Sequence, residues 1–395
     1  MRHEVNERAR PLRGTRPRNR RALIIAAATE LFYEHGYDLV GMSDLAEAVE
    51  IGPSALYRHF SGKQELLREV VLDGLRAFRQ LLAELDLADR DHAVPTLARL
   101  ALDHRELGVL WQRETRNLTP EARSELREEV LRIDATLARL VRLARPEVSA
   151  AAAKVIMSSF TAVLISPSFH RIELPRGEHE AVLAVLANAV LDSPVPHIGP
   201  VPRTPEPSLP PILPRSRREA LLTLAIRLFS QQGYARVGIE DIAAAAGTSG
   251  PSVYAHFPTK IDMLVTAIDR GNAALLMDLS RACTTATGPS EALSGLIGGY
   301  TRVALAHYDL IGLLVTEIRQ LPDDDRHKAR RAQHEYVAEW TQLLRDLRPE
   351  LEPAAARTHV HAALSVINMT ARVPWLRATP GIAEAVETIC GRLLG

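Results

Sequence analysis

The sequence predicts an all-α protein that contains the same unit twice. Aromatic residues make up only 5% of the 395 residues, and abundant Ala, Leu, Arg and Glu with few alternating β-branched runs favour helices. Residues 31–67 align without a gap with residues 228–264 at an offset of 197. A weaker match at an offset of 203, which pairs Glu114 with Glu317, extends the repeat. The chain therefore carries two tandem copies of one protein.

A proline-rich segment separates the two copies. Nine prolines occur between Pro194 and Pro214, a composition that excludes a helix and is typical of an extended, semi-rigid linker. We expect the following segments along the chain: a basic disordered arm (1–19), a first head (20–68), a first helical domain (69–192), the linker (193–214), a second head (215–265) and a second helical domain (266–395).

Charge and cysteine content exclude several classes of protein. Lys and Arg total 48 against 48 Asp and Glu, so any basic surface must be local. Eight arginines before residue 22 make the arm a candidate for the DNA minor groove or for phosphates, with a merely solubilising tail as the alternative. Two distant cysteines exclude a disulfide framework and a Cys-rich zinc site.

Targeting signals are not evident, and we expect a cytoplasmic protein. The arginine-rich N-terminus has no apolar segment of the kind found in secretory signals. The most apolar long window, Ala150 to Phe169, contains Lys154 and several Ser and Thr residues and includes Pro167. It is therefore predicted to be a buried helix rather than a membrane span.

The repeated motif predicts three short helices. In the first copy, residues 22–34 form a helix with Leu23, Ala27, Leu31 and Phe32 on its apolar face, ended by Gly36. Residues 44–49 form the second helix, a tight turn follows, and residues 53–59 form the third, with Pro53 in its first turn. This arrangement is the helix-turn-helix unit, whose second helix lies in the DNA major groove.

The motif resembles the DNA-binding domain of the TetR family of transcriptional regulators. The second copy carries nearly the whole family pattern: Phe229, Gly233-Tyr234, Ile242-Ala243, Ala246-Gly247, Ser249, Tyr254, His256-Phe257, Lys260 and Leu264.

The first copy departs from that pattern in its turn. Glu50 replaces the usual turn Gly, and Gly52 stands where Ser249 would cap the recognition helix of the second copy. In both copies Gly41 or Gly238 replaces the usual Thr before the second helix, which removes a common phosphate contact.

The resemblance implies which residues contact DNA. Tyr57 and Tyr254, and His59 and His256 after them, are expected to reach phosphates, as are Lys63 and Lys260. Base reading is expected from the outer face of the recognition helices, where Arg58 can donate to a guanine edge and Ala255 offers only a methyl contact. The full candidate set is Pro53, Ser54, Ala55, Tyr57, Arg58, His59, Lys63, Ser249, Gly250, Pro251, Ser252, Tyr254, His256 and Lys260.

The segments after each head resemble the family's ligand and dimerisation domain. The resemblance implies a four-helix bundle from residues 150–165, 180–191, 354–370 and 382–394, and the tandem chain supplies both halves of it. We expect a monomeric pseudo-dimer, with a homodimer of chains as the alternative. Candidate effector-pocket residues, each of which could equally be plain core, are Trp111, Phe160, Tyr300, Trp340 and Asn368.

The sequence thus predicts a DNA-binding transcriptional regulator, most simply a repressor that a small-molecule effector releases from an imperfectly palindromic operator in double-stranded DNA. It would be associated with the nucleoid when bound. The alternative is an effector sensor in which one or both heads mediate protein interactions, which Glu50 motivates. No cofactor is implied. The sequence contains no nucleophile elbow, phosphate loop or zinc spacing, so we predict neither an enzyme nor a metal site.

Overall fold

The computed structural model describes residues 20–196, 198–201 and 212–395. The predicted arm and half of the central linker, residue 197 and residues 202–211, lie outside these residues. Within them the chain is helical and contains no strand, which confirms the all-α prediction.

Each copy consists of a head of three short helices followed by longer helices. The helices of the first copy are α1 (Arg20–His35), α2 (Met42–Ala48), α3 (Pro53–Leu56), α4 (Lys63–Glu84), α5 (Arg90–Asp103), α6 (Leu107–Val109), α7 (Pro120–Ala144), α8 (Ala150–Ile165) and α9 (Arg176–Leu191). Those of the second copy are α10 (Arg217–Gln232), α11 (Ile239–Ala245), α12 (Gly250–Tyr254), α13 (Lys260–Thr285), α14 (Pro289–Ala306), α15 (Tyr308–Thr316), α16 (Asp323–Leu347), α17 (Pro353–Arg372), α18 (Pro374–Arg377) and α19 (Ile382–Leu394).

The helix bounds repeat at the two offsets found in the sequence. Helices α1 and α2 coincide with α10 and α11 at both ends when shifted by 197 residues. Helix α7 coincides with α16 at both ends when shifted by 203, and α8 and α17 begin at corresponding residues. The duplication therefore holds in three dimensions beyond the heads.

The first helix of each head ends as predicted, at a left-handed glycine. Gly36 has φ 84° and Gly233 has φ 87°, a region that L side chains rarely adopt. The predicted apolar face of α1 was wrong in part, because of its four residues only Phe32 is buried. Leu23 is 40% exposed, and the buried residues are Ile24, Ile25, Ala28 and Phe32.

The recognition helix α3 is shorter than predicted. It ends at Leu56 rather than at His59, because the amides of Arg58 and His59 bond to carbonyls three residues back, those of Ala55 and Leu56. The last turn is therefore tighter than an α-helix.

The turn before each recognition helix has the same backbone conformation in both copies. Glu50 has φ 53° and Gly247, its counterpart, has φ 60°. The left-handed conformation costs a non-glycine residue about 1–2 kcal/mol, so the first head tolerates strain that the second avoids. Glu50, in place of the usual glycine, therefore raises the energy of the turn without changing its backbone conformation.

The packing divides the chain into two compact units. Of the described residues, the first unit comprises 20–76 together with 109–129, and the second comprises 77–108 together with those after 129. The second unit thus contains the second head and most of both helical domains.

A four-helix bundle lies at the centre of the second unit. In it α8 and α9 of the first copy pack against α17 and α19 of the second. The Ser365 hydroxyl donates to the Ala162 carbonyl at 2.9 Å, and the rings of His170 and His361 lie 4.6 Å apart. Beyond residue 197, the amide of Gly199 donates to the carbonyl of Pro380 at 3.0 Å. Helices from the two copies therefore share one core.

Helix α8 is the interior helix of this bundle. Eleven of its sixteen residues are buried, which a helix that is apolar all round requires. Among the described residues, the segment Ala150–Phe169 is the one whose length and hydropathy would allow it to cross a membrane, and 72% of it is buried inside the unit. The prediction of a buried helix is confirmed.

Replacing Glu50 with Gly is expected to stabilise the first head by roughly 0.5–1 kcal/mol, because relief of the left-handed strain exceeds the entropy that glycine gains on unfolding. Hydrogen exchange of residues 24–70 in the full chain measures this local stability. Glu47 is exposed inside α2, so the matched change Glu47→Gly should destabilise the head by about 1 kcal/mol. Loss of protection in Glu50→Gly would contradict the assigned strain.

The bundle is expected to weaken in acid. Burial lowers the pKa of His361 from 6.5 to about 4, helped by the nearby charge of Arg357, and burial likewise lowers the pKa of His170. As the pH falls, these histidines therefore become protonated more readily in the unfolded chain than in the folded chain. The contribution of these histidines to the free energy of unfolding is fully present above pH 6.5. It is lost as the pH falls toward 4, by about 3 kcal/mol for His361.

Thermal unfolding of His361→Gln between pH 4 and 7 tests this assignment. The variant should show a smaller acid loss than the wild type, whereas His327→Gln, at an exposed position, should follow the wild type. Equal acid sensitivity in all three proteins would show that His361 does not titrate in the bundle.

Candidate functional site

The recognition helices present most of the candidate DNA-contacting residues to solvent. Tyr57 is 53% exposed and Tyr254 is 52% exposed, unusual values for tyrosines in a folded domain. Arg58, its counterpart Ala255 and His59 are also exposed, and His256 is half-buried. The rings of Phe60 and Phe257 are buried behind them. The local structure thus separates an aromatic core from a row of polar groups on the outer face.

Gly250 differs from the other candidates because it is buried. A Cβ at this position would lie 2.2 Å from Oε1 of Glu240, the end of an exposed and flexible side chain, so a larger residue here requires that carboxylate to move. The first copy has Pro53 and Ser43 at the two positions. Because Gly250 is buried and has no side chain, it offers little surface to DNA.

The predicted cap of the second recognition helix was wrong in detail. Ser249 is the residue that precedes α12 with extended backbone, but its side chain makes no capping hydrogen bond. The second helices behave differently. The amides of Gly41 and Gly238 donate to the carboxylates of Asp44 and Asp241, each at 2.7 Å, which is the half of a capping box that does not need the missing Thr.

Lys63 and Lys260 occupy equivalent positions inside their heads. The Lys63 ammonium donates to the carbonyl of Tyr37 at 2.7 Å and lies 4.0 Å from the centre of its ring. Lys260 donates to the carbonyls of Tyr234 and Val237, at 3.0 and 2.9 Å. Burial lowers the pKa of both ammonium groups. Each lysine fastens the loop after the first helix, and its contact with phosphate stays a prediction.

Glu114 is a functional candidate that sequence reasoning missed. It is buried, and Oε2 accepts hydrogen bonds from the amide of Tyr37 at 3.3 Å and from the side chain of Asn117 at 3.2 Å. It lies in a π-helical turn, Leu110–Glu114, a distortion often found at functional positions. The repeat pairs it with Glu317, which is also buried. The repeat match between the two glutamates is the sequence signal that could have identified this position.

The second head is joined to its helical domain through α15. Helix α10 packs against α15, and Ser230 of α10 hydrogen-bonds Asp309 of α15, whose pKa burial nevertheless raises. The Arg377 guanidinium stacks 3.5 Å from the ring centre of Tyr308. A displacement of α15 would therefore act directly on α10, the first helix of the second head.

Three of the predicted pocket residues lie together in the second helical domain. The Tyr300 hydroxyl donates to Oδ1 of Asn368 at 2.9 Å, and the rings of Tyr300 and Trp340 are 6.3 Å apart, edge to face. Tyr336, which the sequence analysis did not select, lies 6.1 Å from both rings. We call Tyr300, Tyr336, Trp340 and Asn368 the aromatic box.

The other two predicted pocket residues are not part of the box. Phe160 is fully buried on the bundle helix α8. Trp111 is half-buried in the π-helical turn of the first unit. The structure thus brings together the candidates of the second copy and leaves those of the first apart.

Comparison with known proteins identifies both heads. Residues 24–70 and 221–267 each match the profile described as "Bacterial regulatory proteins, tetR family". Residues 286–379 match "Tetracyclin repressor-like, C-terminal domain". The matches cover the two helix-turn-helix motifs and all four residues of the aromatic box.

The curated relatives are transcriptional regulators. The repressor KstR2 of Mycolicibacterium smegmatis is 36% identical over 86 residues, which are 22% of this chain and 42% of the relative. The activator FasR of the same organism is 32% identical over 89 residues, 22% of this chain and 41% of the relative. The chain thus spans about two fifths of the length of these relatives.

Two solved structures of transcriptional regulators align with parts of this chain. A TetR-family regulator from Bordetella parapertussis superposes with a TM-score of 0.41 and 22% identity over 45% of this chain and 93% of that one. The ketosteroid regulator KstR2 of Mycobacterium tuberculosis gives 0.36 and 22% over 37% and 79%.

Lys63→Met and Lys260→Met are expected to loosen the heads before any effect on DNA is measured. Each removes a charged donor to loop carbonyls, a loss of about 1 kcal/mol or more. Hydrogen exchange should accelerate at residues 37–40 and 234–237, respectively. The controls Tyr57→Phe and Tyr254→Phe change exposed hydroxyls and should leave exchange unaltered. Unchanged exchange in the lysine variants would show that the carbonyl contacts contribute nothing to head stability.

Proposed function

We propose that the chain, whose two heads each match the DNA-binding profile of the tetR family, is a transcriptional regulator that binds operator DNA through both heads and responds to a small-molecule effector. The observation that carries the proposal is the repetition of the whole head, with the same turn conformation and the same exposed tyrosine in each copy. The relatives described above are regulators, in agreement with the prediction that the chain is not an enzyme. A cytoplasmic location follows from this function.

The two heads would read unlike half-sites. Arg58 and Ala255 occupy the same exposed position in the turn that follows each recognition helix. An arginine that donates twice to a guanine edge contributes about 1–3 kcal/mol of discrimination, and alanine cannot replace it. The operator is therefore expected to be an imperfect palindrome in double-stranded DNA, and the chain's orientation on it would be fixed.

One chain would supply both halves of the dimer that the family's fold requires. The support is the bundle of α8, α9, α17 and α19, in which the first copy's apolar faces are covered by the second copy. A separate chain is not needed to bury them. The monomeric pseudo-dimer is thus favoured over a homodimer of chains with four heads.

The chain would repress transcription, and binding of the effector would relieve this repression. The aromatic box includes Tyr300 on α14, α14 leads directly into α15, and α15 packs on α10 of the second head. A ligand that displaces α14 would thereby move the head and change its affinity for DNA, which is a coupling between two sites. The alternative of a sensor without DNA binding rested on Glu50, and the retained turn conformation at Glu50 does not favour it.

Footprinting of the purified chain on the DNA that flanks its gene tests the proposal. We expect two protected half-sites and an affinity that falls steeply with salt. Arg58→Ala should weaken binding about tenfold or more and relax base preference in one half-site only. The matched change at the other head, Ala255→Gly, should have little effect. No protection at any salt concentration would refute the DNA-binding function.

A further inference from the structure

The two helical domains differ at equivalent interior positions. The 203-residue offset holds through α7 and α16, which coincide at both ends, and through the starts of α8 and α17. His104 and His307, which end α5 and α14, also correspond and have nearly the same backbone angles. Positions in the two domains can therefore be matched residue by residue.

In the second copy these positions form the aromatic box. Tyr300, Tyr336 and Trp340 are each no more than 6% exposed, and burial raises the pKa of Tyr300 to about 12. The hydrogen bond from Tyr300 to Asn368 links α14 to α17 across the interior. Aromatic faces and a phenol–amide pair thus occur together in one core.

In the first copy the corresponding residues are aliphatic. Leu97, Ile133, Leu137 and Ile165 replace Tyr300, Tyr336, Trp340 and Asn368, in that order. Leu97 and Leu137 belong to the buried core, at 1% and 4% exposed. Side chains of this kind carry no hydrogen-bonding group, so these four positions offer a ligand no polar contact.

Buried polar side-chain atoms without partners occur in both copies. The first copy has them at Arg105 Nε, His170 Nε2, His179 Nε2 and Asn188 Oδ1, and in the second copy three of them lie on two helices that pack together. Asn272 Nδ2 and Asp278 Oδ2 on α13, and Thr301 Oγ1 on α14, are buried and make no hydrogen bond within the described residues. The counterpart of Thr301 is Ala98. Buried polar atoms are normally satisfied, and each exception requires an explanation. Here the shared location on the packed pair α13 and α14 points to a bound molecule.

We infer that the second copy alone binds the effector, one molecule per chain, and that the first copy is a filled structural half. This inference rests on the proposed function and specifies its ligand site. The ligand is a flat, ring-containing molecule that carries a hydroxyl or carbonyl oxygen. Its rings pack against the tyrosine and tryptophan rings, and its oxygen exchanges hydrogen bonds with the Tyr300–Asn368 pair. An apolar site with few polar groups is typical of small-molecule pockets.

The probe for this inference is 2-naphthol, a bicyclic ring with one hydroxyl, titrated calorimetrically into the full chain. We expect saturation at one molecule per chain. Trp340→Leu, which installs the first copy's residue, should abolish binding. The matched substitution in the first copy, Leu137→Met, should leave affinity and stoichiometry unchanged. Two molecules per chain, no saturable binding, or an equal loss in Leu137→Met would overturn the inference.

A milder variant separates a binding role from a folding role. Tyr300→Phe keeps the ring and removes the hydroxyl, so affinity for 2-naphthol should fall about tenfold while affinity for naphthalene stays the same. An equal change for both probes would contradict the assigned polar contact. Footprinting of the same wild-type preparation distinguishes the two failures. A chain that binds DNA without binding the probe refutes only the ligand site, whereas a chain that binds no DNA refutes the proposed function.

Discussion

The burial of α8 against α17 is the contact on which the second unit depends. Helix α8 buries eleven of its sixteen residues, and helices of the other copy cover the apolar surface that its own copy leaves open. A hydrogen bond between Ser365 and Ala162 and the adjacent rings of His170 and His361 fix the register. Tandem duplication makes this contact intramolecular, so its formation does not depend on protein concentration.

Covalent joining also frees the two copies to diverge. In a dimer of identical chains every substitution appears twice, whereas here each copy can change alone. The heads differ at Arg58 and Ala255, and the turn that is relaxed at Gly247 is strained at Glu50. The helical domains differ in the same way, with an aromatic box in one and aliphatic residues in the other. Divergence has preserved the backbone and altered the side chains that would face DNA or ligand.

Much of the fold could be predicted from the sequence because it follows from local signals and from the repeat. Gly36 and Gly233 directly follow the first helix of their copies, and the proline-rich segment separates the two copies. The apolar face of α1 could not be predicted, since Leu23 competes with Ile24 and Ile25 and only tertiary packing decides which side is covered. The shortened α3 depends likewise on how the following loop closes.

The candidate site was predictable in part for the same reason. Residue type and spacing identify Tyr57, Tyr254 and three members of the aromatic box. They do not show that Lys63 binds the carbonyl of Tyr37, that Glu240 lies over Gly250, or that Glu114 reaches the amide of Tyr37. Each of these contacts joins residues that are distant in the sequence or depends on close packing. They appear only when the chain is folded.

The central claim is that one chain provides a complete two-headed regulator, and the mass of the DNA complex tests it most directly. Analytical ultracentrifugation of the chain with a short duplex that carries one operator should give the mass of one 43.5 kDa chain and one duplex, over a wide range of protein concentration. Two chains on one operator would contradict the account, because the bundle formed within each chain would then not be the working dimer interface.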